Sequence, residues 1–105
     1  MAGHIAILTE ANFDDLIKKG NWIVDFWAEW CNPCKIMAPH FEKASEEIKD
    51  VKFAKVDVDG NQNLAMRFGV MSIPTTILFK NGQPVEMRSG VLKLEDIKKL
   101  IKANF

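Results

Sequence analysis

Trp22-Ile23-Val24-Asp25-Phe26-Trp27-Ala28-Glu29-Trp30-Cys31-Asn32-Pro33-Cys34 is a mostly apolar stretch that ends in the chain's only two cysteines. Residues 22–27 are apolar at nearly every position. That is the pattern of a strand covered on both faces, so they are predicted to form the central strand of a sheet. If the segment after it opens a helix, one turn separates Cys31 from Cys34. Both sulfurs then come within bonding reach, with the first exposed at the helix end, a spacing suited to thiol–disulfide exchange.

Exchange requires an ionised sulfur, and an unshifted cysteine with a pKa of about 8.5 is only ~3% thiolate at neutral pH. Unpaired N–H groups at a helix start, together with the macrodipole, favour negative charge on Cys31, and Lys35 adds a nearby cation. Asp25 is the other unusual residue. A lone carboxylate in an apolar strand is costly to desolvate, so burial raises its pKa and lets it handle a proton near neutrality. The plainer reading of Asp25 is an edge aspartate that faces solvent.

At 105 residues and 48% hydrophobic, the chain is expected to form one domain over residues 1–105, with its own core and no linker. Fourteen basic residues against 14 acidic ones leave no positive field to gather phosphates, so nucleic-acid binding is not favoured. Lys93, Lys98, Lys99 and Lys102 read as the solvated face of a helix. The amino terminus lacks a basic leader, and Ile5 to Leu8 is too short to span a bilayer, so a cytoplasmic protein without membrane association is expected. A reducing cytosol disfavours a permanent structural disulfide, which turns the pair towards catalysis or metal. A zinc site would need a second pair of ligands. His4 and His40 are the only histidines and have no zinc-finger spacing, so no metal is expected and His40 reads as a surface residue.

Working outwards, a short apolar segment at Ile5 to Leu8 precedes a helix capped by Thr9, with Phe13, Leu16 and Ile17 on one face and Gly20 as its stop. After the cysteines, Met37, Phe41, Ala44 and Ile48 form one apolar stripe of a long helix, which Pro39 should bend. Val51 to Val58 reads as a strand, and Asn63 to Phe68 as a short helix stopped by Gly69. Thr75 to Lys80, Asn81-Gly82 and Gln83 to Arg88 make a hairpin whose second arm, carrying Pro84, belongs at an edge. Leu94, Ile97, Leu100 and Ile101 line a final helix. The predicted class is α/β in the order β-α-β-α-β-α-β-β-α, a central mixed sheet of about five strands flanked by about four helices.

With these landmarks in order, the chain resembles the thioredoxin family from end to end. The matching residues are Asp25 to Cys31, Pro33-Cys34, Pro39, Lys55-Val56-Asp57, Ile73-Pro74-Thr75, Asn81-Gly82 and Gly90. The resemblance implies the thioredoxin fold and a protein-disulfide reductase in which Cys31 attacks a client disulfide and Cys34 resolves the mixed disulfide. It implies that Asp25 deprotonates Cys34, directly or through water, with Lys55 adjusting the local charge. It also implies a cis Pro74 facing the dithiol, and an apolar client-binding surface of Trp30, Ile73, Pro74 and Gly90. Trp27 reads either as core or as part of that surface. The expected partners are disulfide-containing client proteins and a separate reductase, NADPH- or ferredoxin-linked. The protein itself is expected to act as a monomer without cofactor.

Two positions depart from the family pattern. Asn32 stands where glycine is usual between the cysteines and bears on the redox poise. Ser72 stands where a glycine commonly precedes the Ile-Pro pair and adds a side chain beside the groove. The alternatives are an oxidase or isomerase, whose relatives often carry histidine between the cysteines, and a binding module that merely retains the dithiol.

Overall fold

The computed structural model describes residues 4–105. The first three positions, part of the amino terminus read above for its lack of a basic leader and of the 1–105 domain, lie outside the described residues. The predicted element order is observed: β1 (Ile5–Ile7), α1 (Phe13–Ile17), β2 (Asn21–Trp27), α2 (Asn32–Glu47), β3 (Lys52–Asp57), α3 (Gln62–Arg67), β4 (Thr75–Lys80), β5 (Gln83–Ser89) and α4 (Leu94–Asn104). The strands form one five-stranded mixed sheet in the order β1-β3-β2-β4-β5. β3 runs parallel to both β1 and β2, while β4 is antiparallel to β2 and to β5.

The side-chain period of two along β2 divides the core between the two sheet faces. Trp22, Val24 and Phe26 pack with Phe13 and Ile17 of α1 and Leu64 of α3. Ile23 faces the other way, onto Met37, Phe41 and Ala44 of α2 and Ile97, Leu100 and Ile101 of α4. This double cover explains the nearly continuous apolar run. By the same alternation Asp25 falls on the face covered by α2, opposite Lys55 of β3 and Thr76 of β4.

Several local expectations change. Asn12, rather than Thr9, is the residue before α1; its Oδ1 accepts from the Thr9 N–H at 2.7 Å, while the Thr9 carbonyl accepts from Asn12 and Phe13. Leu16 is 43% exposed because α1 has only five residues and turns just Phe13 and Ile17 inwards. Helix α2 runs through Pro39 as one element of 16 residues and ends before Ile48, its C-cap. β3 is shorter than expected, and α3 starts and ends one residue earlier. In β3 Phe53 and Ala54 are both buried, since that strand too is covered on both sides.

His40 is half-buried rather than exposed, and its Nδ1 accepts the Leu94 N–H at 3.1 Å. It thereby satisfies one of the unpaired donors at the start of α4. The hairpin matches its reading, with Asn81 at φ 50° and Gly82 at φ 85°. β5 is an edge strand, as expected, and its pairing slips between Leu78 and Phe79, next to Pro84.

Phe41 is fully buried, and its ring lies 5.1 Å from that of Phe53, edge to face. Phe41→Ala is expected to lower stability by about 3–5 kcal/mol, read from the midpoint of chemical denaturation, because it opens a cavity between α2 and the sheet.

Candidate active site

β2 ends at Trp27, and the chain turns through Ala28 to Trp30 into the start of α2. Cys31 is the N-cap of this helix, with extended backbone (φ −91°, ψ 109°), and its N–H donates to the Ala28 carbonyl at 3.2 Å. The Cys34 N–H donates to Cys31 Sγ at 3.2 Å, so one of the free donors of the helix start points at this sulfur. Pro33 occupies the first turn, where its missing N–H costs nothing. Cys31 and Cys34 are paired as a disulfide, with their Cα atoms 5.3 Å apart. When reduced, Cys31 holds a sulfur to which the helix end and its amides give the electrostatic support a thiolate needs.

The sulfurs are less exposed than the sequence suggests: Cys31 is 4% and Cys34 3% accessible. Ala28, with Trp27, Val58 and Ile73 around it, packs against the pair. Cys31 nevertheless lines an open groove of about 670 Å³ whose walls include Trp30, Val58, Met71, Ser72 and Ile73. The Ile73–Pro74 peptide is cis, and the Ile73 carbonyl lies 3.8 Å from Cys31 Sγ. Pro74 is buried, and its carbonyl accepts the Gly90 N–H at 2.8 Å, which brings Gly90 (φ 99°) to the same loop. Of the four residues expected at a client surface, Trp30 and Ile73 line the groove, while Pro74 is buried and Gly90 exposed beside Ile73.

Sequence reasoning missed Asp59, whose Oδ2 accepts the Trp30 indole N–H at 2.8 Å and fixes a side chain that is 68% exposed. It also missed Met71, 94% exposed on the groove wall. No local pattern marks either residue, because the loops that carry them meet Trp30 only in the folded chain. Trp27 is half-buried against the dithiol, with Lys55 Nζ 5.4 Å from the centre of its ring.

Asp25 is 1% exposed, which excludes the edge reading, and burial pushes its pKa from 3.8 up to about 7 while the Lys55 cation pulls the other way. Lys55 lies beside it in register but makes no direct ion pair with it among the described residues. Asp25 Oδ1 has no hydrogen-bond partner there either. No group of three or more metal-ligating side chains assembles among the described residues.

The thioredoxin family profile matches residues 4–103. The chain belongs to the thioredoxin family. It is 44% identical over 99 residues to a thioredoxin of Staphylococcus saprophyticus, covering 93% of this chain and 95% of that one. A Chlamydia muridarum thioredoxin is 43% identical over 97 residues, with 92% and 95% covered. Among solved structures, the N21Q mutant thioredoxin from Halobacterium salinarum NRC-1 superposes with a TM-score of 0.87 at 34% identity, covering 95% of this chain and 89% of that one. Family membership together with the paired Cys31 and Cys34 makes this thioredoxin a thiol–disulfide oxidoreductase and protein-disulfide reductase. Its substrates are disulfides, and it requires a reductase partner.

The raised pKa of Asp25 links stability to pH. Between pH 3.8 and about 7 the folded chain keeps a proton on Asp25 that the unfolded chain has lost, so stability falls as pH rises through this window and levels off above it. Asp25→Asn removes that slope. In denaturation of the oxidised protein, the stability of the variant relative to the parent is expected to rise by about 3 kcal/mol between pH 5 and pH 8; a constant difference would refute the buried, proton-holding carboxyl.

Proposed function

We propose that this thioredoxin reduces client proteins by a two-step exchange in which Cys31 is the nucleophile and Cys34 the resolving thiol. The Cys31 thiolate attacks one sulfur of a client disulfide; a Cys31–client S–S bond forms and the other client sulfur leaves as a thiolate. Asp25 then takes the proton of Cys34, and the Cys34 thiolate attacks Cys31 Sγ. The Cys31–Cys34 bond forms, the client's second thiolate is released, and both client thiolates take up protons. Two electrons have passed to the client, and a separate reductase returns them. The observation that carries the assignment is Cys31 as the N-cap of α2, lining the groove while Cys34 is buried one turn behind it.

In this reading Lys55 moderates the charge of Asp25. Trp30, Ile73, Pro74 and Gly90 form the surface that contacts the client. The chain acts as a monomer and as one domain over residues 1–105, and its compartment is the cytoplasm; no described helix is long and apolar enough to cross a membrane. The reductase is NADPH- or ferredoxin-linked, and a comparison of both as electron source, with a protein disulfide as acceptor, distinguishes them.

Cys31→Ser is expected to abolish turnover of a protein disulfide. Cys34→Ser is expected to accumulate a covalent mixed disulfide, visible by mass spectrometry under non-reducing conditions; catalysis that survives Cys31→Ser would overturn the order of attack. Ser72 is exposed on the groove wall. Ser72→Gly is expected to change kcat/KM unequally among clients and reductases, and unchanged kinetics across several of them would remove Ser72 from recognition.

A further inference from the structure

Asp25 and Thr76 face each other directly across the antiparallel β2–β4 pair, so their side chains project from the same sheet face. Both residues are enclosed, Asp25 at 1% exposure and Thr76 at 0%. Asp25 Oδ1 and Thr76 Oγ1 are the buried side-chain polar atoms without a hydrogen-bond partner among the described residues. An orphaned buried hydroxyl or carboxyl costs about 1–3 kcal/mol, and two of them at directly opposed positions can relieve each other. Directly opposed Cβ atoms lie about 4.5–5.5 Å apart, and since the two side chains make no direct hydrogen bond, one bridging water is the link that spans them.

We propose that Thr76 is a positioning residue whose hydroxyl donates to the Asp25 carboxylate across the β2–β4 pair through one enclosed water, and so sets the proton affinity of that carboxyl. The neighbouring groups leave this role to Thr76. Lys55 is the charge that faces Asp25 from β3, and its cation is the one that acts on the carboxyl. On the far side of Thr76, Arg88 of β5 is turned to Glu86, its Nε 2.8 Å from Glu86 Oε2. α2 covers this face with Cys34, Met37, Phe41, Ala44 and Ser45, and α4 with Ile97, Leu100 and Ile101, none of them charged while Cys34 is held in the disulfide. Thr76 is thus the neutral donor placed to stabilise the anion without adding charge. Its bearing on catalysis rests on the role proposed above for Asp25.

The test is a carbon-13 NMR titration of the Asp25 carboxyl in the oxidised protein, where neither cysteine titrates. The nearly isosteric Thr76→Val should move the Asp25 midpoint upwards by about one pH unit, the size expected for a lost hydrogen bond to a charged acceptor. Thr76→Ser, which keeps the hydroxyl, should restore it. A midpoint unmoved or lowered in Thr76→Val overturns the proposal, as does an equal rise in both variants, which would reflect altered packing. If Thr76→Val fails to fold, the parent protein decides: a Thr76 hydroxyl proton protected from exchange and moving with the Asp25 titration supports the link, and a freely exchanging one removes it. Turnover of Asp25→Asn against pH tests separately whether the carboxyl serves Cys34, and its outcome leaves the titration result untouched.

Discussion

β2 is buried on both faces along five consecutive residues, and the positions of the other parts of the site follow from that burial. A strand covered twice cannot shift its register by one residue without exchanging its two apolar sets, so the phase of residues 22–27 is fixed. That phase places Asp25 under α2 together with Ile23. It also fixes where the strand ends, hence where α2 begins, and Cys31 is held at that junction by the hydrogen bond from its N–H to the Ala28 carbonyl. The dithiol is a helix start seated on the end of the central strand, and the core behind it sets its orientation.

The second component arrives from the far end of the chain. The loop at Ile73 and cis-Pro74 leads into β4, which pairs with β2 from Phe26↔Thr75 onwards. That pairing brings Ile73 to Cys31 and carries Thr76 to Asp25. One antiparallel ladder therefore serves both the proposed client surface and the interior where Asp25 is enclosed. The Thr75 hydroxyl, which donates to the Ser72 carbonyl at 2.6 Å, ties the loop to the strand between those two places.

Much of this was legible in the chain. Apolar periodicity gave the elements and their order, the Asn-Gly pair gave the hairpin, and the cysteine spacing gave the chemistry. Asp25 stood out because a carboxylate conflicts with its apolar surroundings. What stayed hidden depends on contacts between distant segments. His40 looks like a surface residue on its own helix, and only the docking of α4 makes it the acceptor for Leu94 N–H. Asp59 and Met71 belong to loops without periodicity, and Thr76 looks like an ordinary β-branched strand residue until its partner across the ladder is known. The low exposure of Cys31 is hidden from the sequence for a related reason. The N-cap position predicts an end that is open to solvent, but Ala28, Trp27, Val58 and Ile73 close around it.

A buried carboxylate that costs stability above neutral pH is a local conflict with an otherwise consistent strand, and such conflicts mark functional positions. Proton affinities show what the conflict achieves in the proposed cycle. Moving a proton from an ordinary thiol, pKa about 8.5, to an aspartate left at 3.8 would be uphill by about 6 kcal/mol. With the carboxyl raised to about 7 the same transfer is uphill by about 2 kcal/mol. Burial alone would carry the carboxyl further up and favour its protonated form. Lys55 opposes that drift through its charge, and in the arrangement proposed here Thr76 opposes it through a neutral, water-bridged hydrogen bond. The cation acts over a distance through a medium that water can screen, whereas a hydrogen bond in the closed interior keeps its strength. Two restraints of different range hold the acceptor near the pH at which the resolving thiol must give up its proton.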